Sequence, residues 1–237
     1  MNEHLSKQFD AELEAIRSRV LEMGGLVEAQ IRRALDALNG GDRALADAVI
    51  ANDHRVNGME VSIDGDCSQV IVRRQPAAND LRLILAITKT VTDLERIGDE
   101  AQKIARMAKS IYERGGDGHA TPRTVDVRHA ASVALAMLRS ALDAFARLDV
   151  AAAADVIRDD VAIDSEFRSL LRQLITYMME DPRTISSALD VVWVAKAIER
   201  IGDHAKNMAE QVIYIVKGTD VRHVDPANIE RELAGTE

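Results

Sequence analysis

The sequence predicts an all-α protein: two three-helix bundles in tandem, related by internal duplication. Three observations predict it. The chain has 237 residues, 47% of them hydrophobic but only 3% aromatic, and 4 prolines. Ala, Leu, Ile and Val set among Glu, Arg and Asp favour long packed helices over strands. The chain also repeats itself. "DLERIGDEA" (Asp93 to Ala101) returns as "AIERIGDHA" (Ala197 to Ala205), and "ALDAL" (Ala34 to Leu38) as "ALDAF" (Ala141 to Phe145). Asp42, Val49, Ile50 and Asp53 align with Asp149, Val156, Ile157 and Asp160 at one constant offset. Repetition this long marks a duplicated structural unit. Finally, turn signals fall where three helices per unit require them.

The first helix ends at "NGGD" (Asn39–Asp42), where Asp42 is suited to cap the second. "RQPAAND" (Arg74–Asp80) parts the second helix from the third, and its Pro76 has a counterpart in Pro182. The third helix carries a bundle seam: Ile84, Ile87, Val91, Leu94, Gly98, Ala101, Ala105 and Ala108 recur at alternating spacings of three and four. The seam begins bulky and ends small. A mid-helix glycine costs about 1 kcal/mol relative to alanine, so Gly98 and its equivalent Gly202 imply close helix contact. "ERGGDGHATPRT" (Glu113–Thr124) is the richest Gly/Pro punctuation and reads as the linker. The units are therefore placed at 1–114 and 123–218, with a tail at 219–237. In the second unit, breaks fall at "RLD" (Arg147–Asp149) and "EDPRT" (Glu180–Thr184), where Pro182 suits a first helical turn. Most helices are expected to run about 25 to 35 residues, roughly 40–50 Å at 1.5 Å per residue. Short loops make neighbours antiparallel. Cys67 is expected as a core residue or an inert surface thiol, and Trp193 is expected to fill the second bundle.

Several function classes are disfavoured. A net charge of −9 argues against nucleic acid, because phosphate binding needs a basic surface. A single cysteine excludes an internal disulfide and suits a reducing compartment. The opening "MNEHLSKQFDAELEAIRS" lacks the apolar stretch of a signal peptide, and no run of about 18 apolar residues exists to span a bilayer. A cytoplasmic location is expected. No Gly-rich phosphate loop, Ser-His-Asp arrangement or Cys/His cluster appears, so the chain is not expected to be an enzyme.

The chemistry-bearing residues are carboxylates. Glu95 and Asp99 lie one helical turn apart on one face, as do Glu199 and Asp203. One reading has Arg96 and Arg200 neutralise them on an ordinary solvated face. The other makes each pair half of a cation site, completed by oxygens from the second helix, since hard cations take six or more oxygen ligands. Asp160 and Asp164 stand ready in the second unit, Asp53 and Asn57 at the aligned positions of the first. Glu60 and Asp64 form a further pair in the first unit only, facing Phe167 and Leu171 in the alignment. His54 and His204 have no partner at ligand spacing, so a metal here would be held by oxygen.

With the doubled "LERIGD/IERIGD", the segment "RRQPAANDLRLILAITKTVTDLERIGDEA" and the opening "QFDAELEAIRSRVLEMGGLVEAQI", the chain resembles the PhoU family of phosphate-signalling regulators. The resemblance runs over essentially the whole length, as far as "IYIVKG" (Ile213–Gly218) and "RHV" (Arg222–Val224). It implies two three-helix bundles, a homodimer, and E/D-x-x-x-D motifs that bind metal clusters of Mn, Mg, Fe or Zn. Those motifs fall on Glu95/Asp99 and Glu199/Asp203, with Asp160/Asp164 opposite the latter. Asn57 departs from the pattern, and the first half is expected to bind more weakly. The implied role is negative control of the phosphate-starvation response, between the ATPase subunit of the phosphate ABC transporter and the phosphate sensor histidine kinase, at the inner face of the membrane. The alternative is a metal storage or buffering bundle.

Overall fold

The computed structural model describes residues 2–115 and 127–234. The first unit is α1 (Asn2–Gly40), α2 (Arg43–Arg74) and α3 (Ala78–Gly115). The second is α4 (Arg128–Arg147), α5 (Val150–Glu180) and α6 (Ile185–Lys217). The helices form where the seams demand. Every member of the α3 seam from Ile84 to Ala108 is buried, and Cys67 lies in the same core. Duplication shows in the caps: Asp42 accepts from the Leu45 amide at 2.9 Å, and Asp149 from the Ala152 amide at 3.0 Å. Pro182 opens a short 3-10 turn (Pro182–Thr184) ahead of α6, with Asp181 as its cap.

Four expectations are corrected. α1 and α3, at 39 and 38 residues, exceed the expected length, while α4 has 20. α3 continues into the Gly-rich segment as far as Gly115, and the remainder of that segment, 116–126, lies outside the described residues. The C-terminal stretch is no mere tail: it holds a 3-10 turn (Pro226–Asn228) and α7 (Ile229–Ala234), and buries Val221 and Ile229. Trp193 is 52% exposed rather than in the core, with the Lys103 ammonium 5.8 Å from its ring centroid.

Among the described residues, the most extensive helix contact is between α3 and α6. The two run antiparallel: Asp93 meets His204, Glu100 meets Arg200, and Ser110 meets Asp190. Each is thus enclosed by its own bundle on one side and by the other unit on the second. A further contact joins the units where Gly24 of α1 lies under the Leu142 side chain of α4.

The two motif glycines face inward. A Cβ on Gly98 would lie 3.2 Å from Val56 Cγ1, and one on Gly202 would lie 3.0 Å from Ile163 Cγ2. Val56 and Ile163 occupy aligned positions on α2 and α5, so both units solve the same packing problem in the same way. Gly98→Leu or Gly202→Leu is expected to cost about 1–3 kcal/mol through overpacking. For a chain of this length that lowers the melting temperature by about 2–4 °C for each kcal/mol. An unchanged melt in both variants would refute the close contact.

Candidate metal centre

The stripe of α6 that faces α5 reads Lys196, Glu199, Asp203, Lys206, spaced three, four and three, one face of a helix. Carboxylate oxygens of Glu199, Asp203 and Asp164 lie within 4.8 Å of one another. Glu199 is buried, and Asp164 and Asp203 are half-buried. Burial first, then the charges of Glu199, Asp160 and Asp164, push the Asp203 carboxyl up to about 6, with Lys196 opposing. A carboxyl so placed is poorly solvated and crowded by its own sign of charge.

Asp160, expected as the fourth member, is turned elsewhere. Its Oδ2 accepts from the Lys206 ammonium at 2.7 Å, while its Oδ1 is buried without a partner. The Lys196 ammonium donates to both oxygens of Glu199, at 2.6 and 2.5 Å, and Arg168 bonds Asp164 at 3.1 Å. The neutralising cation is therefore not Arg200, as one reading expected: Arg200 reaches across to Glu100 of α3 at 2.9 Å. His204 likewise leaves the cluster, its Nδ1 2.9 Å from Asp93 Oδ1. His54 is exposed and bonds the Ala51 carbonyl.

The first unit places Asp53 and Glu60 of α2 opposite Glu95 and Asp99 of α3; Asn57 bonds Asp53, and Asp64 lies a turn beyond Glu60. Burial raises the Glu95 carboxyl, helped by Asp99, Glu60 and Asp53, and burial followed by Asp99 raises that of Asp53. Glu60 and Asp64 are pushed up by burial as well. Buried oxygens of Asp53, Asn57 and Asp64 have no hydrogen-bond partner.

These donor sets fit a hard divalent cation, which takes carboxylate and carbonyl oxygens. The C-terminal set is Asp164, Glu199 and Asp203 with the free Asp160 oxygen, where Lys196 and Lys206 already sit on Glu199 and Asp160; the N-terminal set, Asp53, Glu95 and Asp99 with the Asn57 carbonyl, would hold it without displacing an ammonium. Its charge would relieve the repulsion that burial magnifies. The sequence reading missed the two lysines, although their place on the Glu199/Asp203 stripe was visible in the spacing.

A pH test follows. The Asp203 carboxyl rises from an ordinary 3.8 to about 6, so the folded state holds that proton more tightly than the unfolded chain. Stability from this group is full below about 4 and lost as pH rises through about 6. Glu210, pushed by burial from 4.5 to about 7, acts in the same sense. Without metal, Asp203→Asn is expected to match wild type in melting temperature near pH 4 and to exceed it increasingly toward pH 7. Glu199→Gln strands Lys196 and is expected to melt lower than wild type at pH 7. Melts that rank the two variants the other way round would contradict this charge balance.

Comparison with known proteins agrees with the fold. The PhoU domain model matches residues 20–108 and 127–212, one match in each unit. The chain is 50% identical over 232 residues to a phosphate-specific transport system accessory protein PhoU homolog of Burkholderia sp, covering 98% of each. It is 46% identical over 235 residues to the Escherichia coli K12 accessory protein PhoU, covering 99% of this chain and 96% of that one. The crystal structure of PhoU from Pseudomonas aeruginosa superposes with a TM-score of 0.84 at 52% identity, covering 89% of this chain and 100% of the other. With the doubled motif, the paired bundles and a match in each half, this chain belongs to the PhoU family.

Proposed function

We propose that this chain is a negative regulator of phosphate uptake and of the phosphate-starvation response, working as a non-enzymatic adaptor. Its partners would be the ATPase subunit of the phosphate ABC transporter and the phosphate sensor histidine kinase. The observation that carries the reading is near-full-length identity of 46–50% to accessory proteins of phosphate-specific transport. Long helix faces suit such contacts, and α2 and α5 expose apolar Val61, Val72, Val161 and Met179 beside charged neighbours. No described helix is long and apolar enough to cross a membrane, so the chain would meet the membrane through its partners, from the cytoplasm, as a homodimer. Divalent metal, whether Mn, Mg, Fe or Zn, would serve to hold the acidic faces together. A storage or buffering role is the second reading. The lysines seated on Glu199 and Asp160 speak against it, because a store has no use for resident cations.

Deletion is expected to leave phosphate-starvation genes expressed in phosphate-rich medium, as transcript measurement would show. The purified chain is expected to co-purify with the transporter ATPase and with the cytoplasmic region of the kinase, and to leave DNA unbound at physiological salt. Normal repression in the deletion strain would refute the adaptor role.

A further inference from the structure

We propose that divalent metal is held by the N-terminal half of this chain alone, and that in the C-terminal half Lys196 and Lys206 take the metal's place. The proposal rests on reading the acidic faces as cation sites and reverses the weaker binding expected of the Asn57 half.

The two stripes align position for position. Lys196, Glu199, Asp203 and Lys206 of α6 correspond to Thr92, Glu95, Asp99 and Gln102 of α3. Asp160, Asp164, Glu199 and Asp203 line the face in one half; Asp53, Glu60, Glu95 and Asp99 line it in the other, with Asp64 a turn beyond Glu60. Only the C-terminal half supplies ammonium groups from the stripe itself. Lys196 bonds both oxygens of Glu199, and Lys206 bonds Asp160. Position 167 completes the exchange. Where the N-terminal half has Glu60, the C-terminal half has Phe167, and the Lys196 ammonium lies 5.3 Å from its ring centroid. One half thus trades a carboxylate for an aromatic face that favours a cation.

The N-terminal face is left with excess negative charge. Arg96 and Arg106 act on Glu95 and Asp53, but both are exposed at the rim. Asp53 is 7% exposed, with one oxygen free of any hydrogen bond, and a buried oxygen of Asn57, one turn along α2, is equally free. A buried carboxylate oxygen without a hydrogen bond is costly, and a divalent cation suits the free oxygens of Asp53 and Asn57, one helical turn apart. Among the described residues no three N-terminal carboxylates close to within 4.8 Å, whereas Asp164, Glu199 and Asp203 do. In the C-terminal group Lys196 already holds Glu199 and Lys206 holds Asp160, and metal there would first have to displace them.

The test is equilibrium dialysis of the full chain against manganese(II), with metal per chain and the manganese-induced shift in melting temperature as readouts. Wild type and Glu199→Gln/Asp203→Asn are expected to retain the same metal, whereas Asp53→Asn/Glu95→Gln loses it. Affinity at that face is expected to fall by more than roughly tenfold, since even outer-sphere partners of a metal are worth about 10–100-fold. Lys196→Gln/Lys206→Gln is expected to gain a further equivalent. Thr92→Lys/Gln102→Lys, which leaves every carboxylate in place, is expected to abolish uptake, and so covers the case in which the carboxylate variants misfold. Loss of metal from Glu199→Gln/Asp203→Asn, or no gain in the lysine variant, overturns the proposal. Absence of manganese from every protein, the lysine variant included, would instead sink the cation-site reading on which it rests.

Discussion

The antiparallel contact of α3 with α6 is the constraint on which the rest of the structure depends. It is not an apolar seam alone. Asp93 is shared by His204 and Asn207 at 2.9 and 3.1 Å, and buried Glu100 by Arg200 and Lys103 at 2.9 and 3.2 Å. Sliding one helix past the other by a turn would strip Asp93 of both partners and buried Glu100 of Arg200, and a broken buried pair costs about 3–5 kcal/mol. The register of the two units is therefore fixed by charge, while apolar burial supplies most of the adhesion.

From that register follows the arrangement of the acidic faces. A helix enclosed on two sides has little surface left, and on α3 and α6 that remainder carries the Glu-x-x-x-Asp pairs. Each pair turns toward the second helix of its own unit, where Gly98 and Gly202 bring α2 and α5 close. Close approach helps packing and harms charge: it excludes the water that would screen the carboxylates, and the raised Glu95, Asp53 and Asp203 carboxyls are the result. The motif thus couples its glycine to its acids, since the glycine creates the confinement in which the acids need a cation.

Much of this was legible in the sequence. Repetition and turn chemistry located the six long helices, and the aligned caps Asp42 and Asp149 work as their side chains suggest. The seam of α3 was legible because periodicity reports burial directly. Partner choice was not. Arg200 lies beside Glu199 in sequence and on the helix surface, yet bonds Glu100 of another helix, because consecutive residues point in different directions about a helix. Trp193 misled for the opposite reason: a large aromatic residue is expected inside, but its stripe, with Ile185 and Leu189, stays exposed. The place of Asp160 could not be read either, since it depends on whether Lys206 reaches it.

The pairing of α3 with α6 also has a symmetry. Contacts such as Arg82 with Gly218, Lys103 with Trp193 and Ser110 with Asp190 progress in opposite directions about a centre near Gly98 and Gly202, the relation that a two-fold axis imposes on identical surfaces. In a dimer of separate identical units every contact would have to occur twice, with each residue suited to its own mirror role. Here the units share one chain, and the requirement lapses. The Asp93–His204 pair has Glu100 and Ala197 at the axis-related positions, which could not reproduce it. Covalent joining let the two sides of the interface place their charged groups differently, acids at Asp93 and Glu100 of α3 against His204 and Arg200 of α6, and so gave the molecule a direction that a symmetric pair of units lacks.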